Sequence, residues 1–359
     1  MCPIAVIINN LGFGGAERLV VDEVNEMHRR RMPVILITLR PEREAGTFMQ
    51  SCTIPPAQRH HIPFASLFDI HGYLKLVFLL RREKIGAVVT HLWFSNTIGR
   101  IACFFARTPR VISFEHNVYD RVKTHRQFFV DWLLQIFSTH IVAVSEAVRD
   151  SLVTHGIKAS RIVVIENGID LTRYKEAKAS DIRRENELGS KFLFLFVGRL
   201  IEQKGADILL DAFAHVEDSY LLIAGAGIER PALEKRAREL GVDSRILFLG
   251  VRNDIPSLMK AADCLVLPSR WEGQGLVIPE AFAADLPVII ADFPAGYQMV
   301  RDSENGIIVP RENVQALGDA MKLMRADAKL RRKLANVAKR EAERFGIQRH
   351  ADTLLSYAS

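Results

Sequence analysis

Two glutamates, Glu272 and Glu280, bracket the run Glu272-Gly273-Gln274-Gly275-Leu276-Val277-Ile278-Pro279-Glu280. Its glycines allow a tight loop, and the apolar residues from Leu276 onward predict a helix start. Glu272 then falls in the loop and Glu280 in the early helix. The two carboxylates need not touch. They can bind different parts of one long ligand, accepting hydrogen bonds from vicinal hydroxyls such as those of a sugar or ribose. The main-chain amides of Gly275, Leu276 and Val277 suit a phosphate or another hydroxyl. A plain loop with a capped helix is the ordinary alternative.

A second constellation precedes it. Gly198-Arg199-Leu200 follows a buried apolar run, and Lys204-Gly205 comes five positions after Arg199. Both cations leave the carboxyl end of a strand and can converge on one phosphate pair, Arg199 as a fork of donors and Lys204 as a point charge. Near the start, Gly12-Phe13-Gly14-Gly15 lies between a strand and a helix. There Gly14 and Gly15 let the backbone approach a diphosphate, and the helix start offers free amides. Glu17 stands where a dinucleotide-binding loop has its third glycine, so the loop also reads as a plain tight turn. His116, in Glu115-His116-Asn117 after a strand, is either a structural histidine or a site group. His91 also ends a strand and reads as packing or rim. Ser145-Glu146 reads as a helix cap.

These residues sit on an alternation of short β runs and helical patterns, the signature of parallel sheets covered by helices. The expected strands are Ile4–Ile8, 34–39, 88–91, 111–113, 141–144 and 161–165. Asn167-Gly168 marks a turn, and the series restarts at 192–197, 220–224, 246–249, 264–267, 288–291 and 306–309. Two such series imply two doubly wound α/β domains with a cleft between them, ligands lying at the carboxyl ends of strands. The expected domains are 1–170, joined by about 345–359, and 171–344.

The chain has 359 residues, enough for two such cores, and is 48% hydrophobic and 25% charged, a globular composition. No apolar run reaches membrane-spanning length, and no signal peptide is recognisable, so a cytoplasmic location is expected. Cys2, Cys52, Cys103 and Cys264 form no C-x-x-C pair, which leaves them as free thiols. Residues 1–178 hold 23 Lys and Arg against 16 Asp and Glu, while the remainder is nearly neutral. An anionic lipid surface is the preferred partner for that basic half, over nucleic acid, with ordinary surface charge as the alternative. In residues 121–137, Arg121, Lys123, His125 and Arg126 precede Phe128, Phe129, Trp132, Leu133, Ile136 and Phe137 at helical spacing. That helix either lies peripherally on lipid at the inner face of a membrane or covers the sheet.

Taken together, the motifs resemble retaining GT-B glycosyltransferases of family 4, also called glycosyltransferase group 1. The resemblance rests on the two glutamates in Pro268-Ser269-Arg270-Trp271-Glu272 through Ala283. It also rests on Gly198-Arg199-Leu200 with Lys204-Gly205 some 70 residues earlier, on the GFGGAER loop, on Glu115-His116-Asn117, and on Asn167-Gly168-Ile169-Asp170. The motifs occur in the family's order along nearly the whole chain. Departures fall at Gln274, where an aromatic residue is common; at Asp285, usually glycine; and at Asp292-Phe293-Pro294-Ala295-Gly296.

The resemblance implies a GT-B fold whose last helix crosses back to the first domain. It implies that Arg199 and Lys204 hold the donor diphosphate, that Glu272 contacts the sugar and that Glu280 contacts the ribose. Gly14 and Gly15 would approach the diphosphate from the other domain, and His116 would lie beside the sugar. It implies transfer, with retention, from a nucleotide-sugar, UDP-linked by family habit, to a glycan or lipid-linked acceptor in polysaccharide, lipopolysaccharide or glycolipid synthesis, with no cofactor. No Asp-x-Asp occurs, so no metal is expected, and protein cations would neutralise the leaving group instead. An epimerase of the same fold and a non-catalytic sugar-nucleotide sensor are the alternatives. An oxidoreductase would need the missing glycine fingerprint.

Overall fold

The computed structural model describes residues 2–41, 46–118 and 123–358. The chain divides into two compact units, one running to Ile169 and resuming at Gly346, the other spanning Asp170–Phe345. In the first unit, seven parallel strands are ordered β3-β2-β1-β4-β5-β6-β7. They are β1 Ile4–Ile8, β2 Val34–Thr38, β3 Arg59–His61, β4 Ala87–His91, β5 Arg110–Glu115, β6 His140–Ala143 and β7 Ile162–Val164.

Strand β1, Ile-Ala-Val-Ile-Ile, is buried throughout because helices cover both faces of the sheet. Its side chains alternate between two cores. Ile4, Val6 and Ile8 join one, and Ala5 and Ile7 the other. Helix α1, Gly15–Arg29, turns Val20, Val24 and Met27 into the first core and also carries Glu23 inward. The C-terminal helix, Ile347–Ala358, packs against α1 and β5.

The second unit holds six parallel strands ordered β10-β9-β8-β11-β12-β13. These are β8 Phe192–Val197, β9 Ser219–Ala224, β10 Ile246–Gly250, β11 Cys264–Leu267, β12 Val288–Ala291 and β13 Ile307–Val309. Phe194, Phe196 and Val266 anchor its core against the helix Ala206–Phe213. Strand order reverses between β1 and β4 in one sheet and between β8 and β11 in the other. At such a reversal the loops leave toward opposite faces and open a crevice.

Strand β3 and two helices, α2 Ile70–Arg82 and α3 Trp93–Ala106, are additions to the sequence reading. The expected strands end within two residues of the observed ones. All four cysteines are free, three of them buried. Asp285 has φ +61°, which explains why glycine would suit it, and its carboxylate pairs with Lys260 and Lys339.

Gly205 joins the Lys204 loop to the helix Ala206–Phe213. Its φ is +65°, and a Cβ there would stand 2.2 Å from the Pro268 carbonyl oxygen. Gly205→Ala should therefore cost about 2–3 kcal/mol of stability in the second unit. Urea unfolding followed by hydrogen exchange at β8 measures this, and a loss below about 0.5 kcal/mol contradicts it.

Candidate functional site

At the β8–β11 crossover, the strand ends release two loops. β8 ends at Val197 and gives Gly198, exposed Arg199, and the short turn Glu202–Lys204. β11 ends at Leu267 and gives residues 268–276. The loops are tied together. Lys204 Nζ donates to Glu272 Oε1 at 2.5 Å, and Ser269 Oγ donates to the same oxygen at 2.7 Å. The Gln203 amide nitrogen donates to the Trp271 carbonyl at 2.9 Å, and Arg199 donates to Gln203 Oε1 at 3.3 Å. Arg199, Lys204 and Glu272 therefore form one cluster. A lysine has three donors, so Lys204 keeps two beyond its glutamate bond.

Arg270 bolts the same loops from the side. Its guanidinium grips Asp207 with two hydrogen bonds of 2.9 and 2.7 Å, pairs with Glu312 and reaches the Glu202 carbonyl. The hydrogen bonds that Arg270 donates to Asp207 are the chief cause that raises the Arg270 pKa further above the arginine range. Burial alone would raise the Asp207 carboxyl, but the Arg270 bond and charge outweigh it and hold it low.

Helix Val277–Ala283 begins one residue after Leu276, and Gly275 takes φ +83° just ahead of it. The expected start at Leu276 is thus the cap residue. Glu280 lies in the first turn of that helix, half-buried. Its separation along the chain from Glu272 becomes a loop position and a helix position, as the glycine spacing implies.

In the first unit, the corresponding crossover is β1–β4, with β5 beside β4. Gly14 caps α1 in extended backbone that any residue adopts, and Gly15 is exposed at its first turn. The Glu17 carboxylate lies over Gly14, 2.3 Å from where a Cβ would stand. His116 follows β5, partly exposed. Behind it, His91 at the end of β4 is fully buried, its Nδ1 3.0 Å from His116 Nε2. His91 is thus neither rim nor mere packing. Its Nε2 lies 3.1 Å from Glu23 Oε2 of α1, out of line for a straight hydrogen bond. Glu23 Oε1 and the His350 Nε2 are 2.7 Å apart, and His350 Nδ1 is 2.7 Å from the Glu166 carbonyl oxygen.

Burial would raise the Glu23 carboxyl. The electrostatic pull of the nearby His91 ring and the hydrogen bond from His350 outweigh burial and hold it at about 2. Burial, reinforced by His91, pushes the His116 ring down to about 3, so it is neutral near pH 7.

Sequence reading missed Glu23, His91, His350 and Gln203 as parts of these clusters, because each pairs with a residue far along the chain; it also missed Ser269, which lies only three positions from its partner Glu272. It also missed Gly225, at φ +154°, where a Cβ would meet the Gly198 carbonyl oxygen at 1.8 Å. Only the spacing of Gly225 and Gly227 after a strand could have signalled that contact.

The basic helix expected over 121–137 is corrected. Helix α4 covers His125–Leu134, and Arg121 lies outside the described residues. Lys123 is not on a surface face. It is buried, donating to Glu115 Oε2 at 2.9 Å and Asp131 Oδ2 at 2.8 Å, because two buried carboxylates need a cation. Phe128 is buried too, stacked on His155. Four of the other apolar residues point to solvent instead of covering the sheet. Phe129, Trp132, Leu133 and Ile136 are all about half exposed or more.

Comparison with known proteins places both halves. The profile of glycosyl transferases group 1 matches residues 178–341, and that of Glycosyltransferase Family 4 matches residues 13–173. A D-inositol 3-phosphate glycosyltransferase of Rhodococcus jostii is 32% identical, over 95% of this chain and 83% of that protein. The UDP-Gal:alpha-D-GlcNAc-diphosphoundecaprenol alpha-1,3-galactosyltransferase of Escherichia coli is 28% identical, over 80% of this chain and 78% of that one. Among solved structures, Anabaena HepE in complex with UDP and glucose superposes with a TM-score of 0.89 at 23% identity, over 99% of both chains.

The depressed His116 and Glu23 values carry a stability signature of one sign. Below about pH 6.5 the unfolded chain takes a proton that the folded His116 refuses, so stability falls as pH drops. Glu23 adds to the loss below about pH 4.5, as pH moves toward its folded value of about 2. Protection factors of β4 and β5 amides should fall by an equivalent of about 1 kcal/mol between pH 6.5 and 5.5. His116→Asn should flatten that slope, and an equal slope in the variant contradicts the assignment.

Proposed function

Because the chain belongs to the glycosyl transferases group 1, with an N-terminal half of family 4, we propose that it moves a hexose from a UDP-linked donor, with retention at the anomeric carbon, to a lipid-linked or glycan acceptor in cell-surface polysaccharide or glycolipid synthesis. The observation that carries this reading is the Lys204–Glu272 pair beside Arg199 at the crossover of the second sheet. Two unspent donors of Lys204 and the guanidinium of Arg199 meet the donor diphosphate. Glu272, already oriented by Lys204 and Ser269, accepts from sugar hydroxyls. Glu280 takes the ribose hydroxyls, and the Gly275, Leu276 and Val277 amides complete the hold.

Charge that develops on the departing UDP is then met by fixed protein cations, without a metal ion. Gly14, Gly15 and His116, at the strand ends of the first sheet, are assigned to the same ligand by the family resemblance alone. UDP is supported by the UDP-Gal donor of the Escherichia coli relative and by the UDP in the Anabaena structure. A lipid-linked acceptor is supported by the diphosphoundecaprenol acceptor of the same Escherichia coli relative.

A membrane surface belongs to the same reading. No helix among the described residues is long and apolar enough to cross a bilayer. Helices α2, α3 and α4 pack in a row. Phe68 before α2 and Ile70, Leu74 and Phe78 on it are exposed, as are Phe104 and Phe105 of α3 and Phe129, Trp132 and Leu133 of α4. Exposed His71, Lys75, Arg81 and Arg82 share α2, and His125 and Arg126 begin α4. Bulky apolar groups with interspersed cations suit an anionic leaflet.

Lys204→Ala and Arg199→Ala should each lower kcat/KM by about 10- to 100-fold. Wild-type turnover in both would overturn the site. UDP-sugars should raise the melting temperature where GDP-sugars do not, and turnover should persist in EDTA. In flotation, the protein should rise with vesicles containing phosphatidylglycerol but not with pure phosphatidylcholine. Phe129→Ser combined with Trp132→Ser should abolish flotation, and lipid-independent behaviour would dismiss the membrane reading.

A further inference from the structure

We propose that four buried charges, Arg100, Glu115, Lys123 and Asp131, hold helix α4 turned outward, so that its aromatic stripe is presented as an anchor to an anionic lipid surface. This rests on the membrane reading and names the device behind it.

A helix packed beside a sheet ordinarily turns its apolar stripe to the core. Helix α4 does the reverse. Phe129, Trp132, Leu133 and, in the turn just beyond it, Ile136 recur at the spacing of one helix face, and they are 60%, 49%, 51% and 58% exposed. The opposite face carries Phe128, Asp131, Leu134 and Gln135, all buried. Apolar burial alone would favour the roll that exchanges the two faces.

Charge prevents that roll. Asp131 Oδ1 accepts from Arg100 at 3.0 Å, and Asp131 Oδ2 accepts from Lys123 at 2.8 Å. Lys123 also donates to Glu115 Oε2 at 2.9 Å, which ties the start of α4 to the end of β5. Arg100 Nε donates to Ser113 Oγ at 3.2 Å and to Ser138 Oγ at 3.0 Å, which pins the guanidinium beside the sheet. A rolled helix would carry Asp131 into water. Two buried cations would then share one carboxylate, and an uncompensated buried charge is costly. Gln135 adds a second tie, its Oε1 accepting from the Lys158 amide at 2.9 Å.

The outward face is ordered before it meets anything. Trp132 lies over Gly156, 3.3 Å from where a Cβ would stand, and stacks with Phe129 at 5.8 Å between ring centroids. Rings held in this way lose little freedom on binding. The charges of α4 choose the partner. His125 and Arg126 are exposed at its start, and its single carboxylate, Asp131, is the one turned inward. The exposed side therefore offers cations and bulky apolar groups with no carboxylate from the helix, which suits an anionic leaflet.

The network holds two positive and two negative groups, so Arg100→Met, Glu115→Gln, Lys123→Met and Asp131→Leu together remove it without changing the net charge. Apolar replacement of a whole buried ion network commonly preserves the fold. Fluorine NMR of the full chain labelled with 5-fluorotryptophan, with Trp132 assigned through Trp132→Phe, reads the orientation as a solvent isotope shift. In the lipid-free wild type Trp132 should show the shift of an exposed indole. In the quadruple variant that shift should fall by about half or more, and partition onto phosphatidylglycerol vesicles should fall about tenfold, with the melting temperature retained. Should that variant not fold, Asp131→Asn decides, since it keeps the shape and gives up the charge; it should lower partition about threefold and shield Trp132 in part. A shielded Trp132 in the lipid-free wild type, as a dimer burying the stripe would give, overturns the proposal. So does an unchanged isotope shift or an unchanged partition in a folded variant. If the wild type ignores the vesicles, the membrane reading fails instead, and the isotope shifts still decide what holds the helix.

Discussion

Where the strand order of a parallel sheet reverses, the loops from the two neighbouring strands part, and the gap they leave cannot be filled by either. The arrangement of functional side chains follows from that constraint. In the second sheet the gap lies between β8 and β11, and the loops bordering it carry Arg199, Lys204 and Glu272. In the first sheet it lies between β1 and β4, bordered by the Gly14–Gly15 turn and by His91, with His116 one strand further on. Side chains that serve a ligand need a floor as well as a gap. The floor of the second site is Arg270 with Asp207 and Glu312, and the glycine contact between residues 198 and 225 lets the β8 and β9 loops lie backbone on backbone.

Burial of charge is the second constraint. Four buried carboxylates in these regions have a hydrogen-bonding partner within reach. Glu23 has His350, Glu272 has Lys204, and Glu115 and Asp131 share Lys123, with Arg100 bonded to Asp131. Removing one partner from such a pair leaves an uncompensated charge, which is costlier than losing the pair outright. The consequence for chemistry is geometric. A paired glutamate holds one rotamer before any ligand arrives, so the ordering cost of binding is reduced.

Much of this was legible in the sequence because the relevant signals are local. Continuous apolar runs gave the buried strands, and the glycines flanking Arg199, Lys204 and Glu272 marked loops at strand ends. The pairing of Lys204 with Glu272 was not legible, since 68 positions separate them and neither residue type demands the other. The same holds for Glu23 and His350, which read as an ordinary helix glutamate and a late histidine. Helix α4 shows the opposite failure. Its period was right, but periodicity cannot say which side of a helix meets the sheet, and Lys123, read as surface, is drawn inward by two carboxylates. Strand β3, Arg-His-His, carries no apolar run at all and forms by pairing with β2 at the sheet edge.

The first unit is built from both ends of the chain. Its C-terminal helix covers α1 and brings His350 to the buried Glu23, with Ile169 and Gly346 bridged where the strands of chain leave and return. During synthesis the first 169 residues emerge long before that helix exists. They must wait, with an uncompensated carboxylate and an uncovered apolar face, while all of the second unit is translated. The order of completion is therefore the reverse of the order of emergence: the domain born first is the last to close.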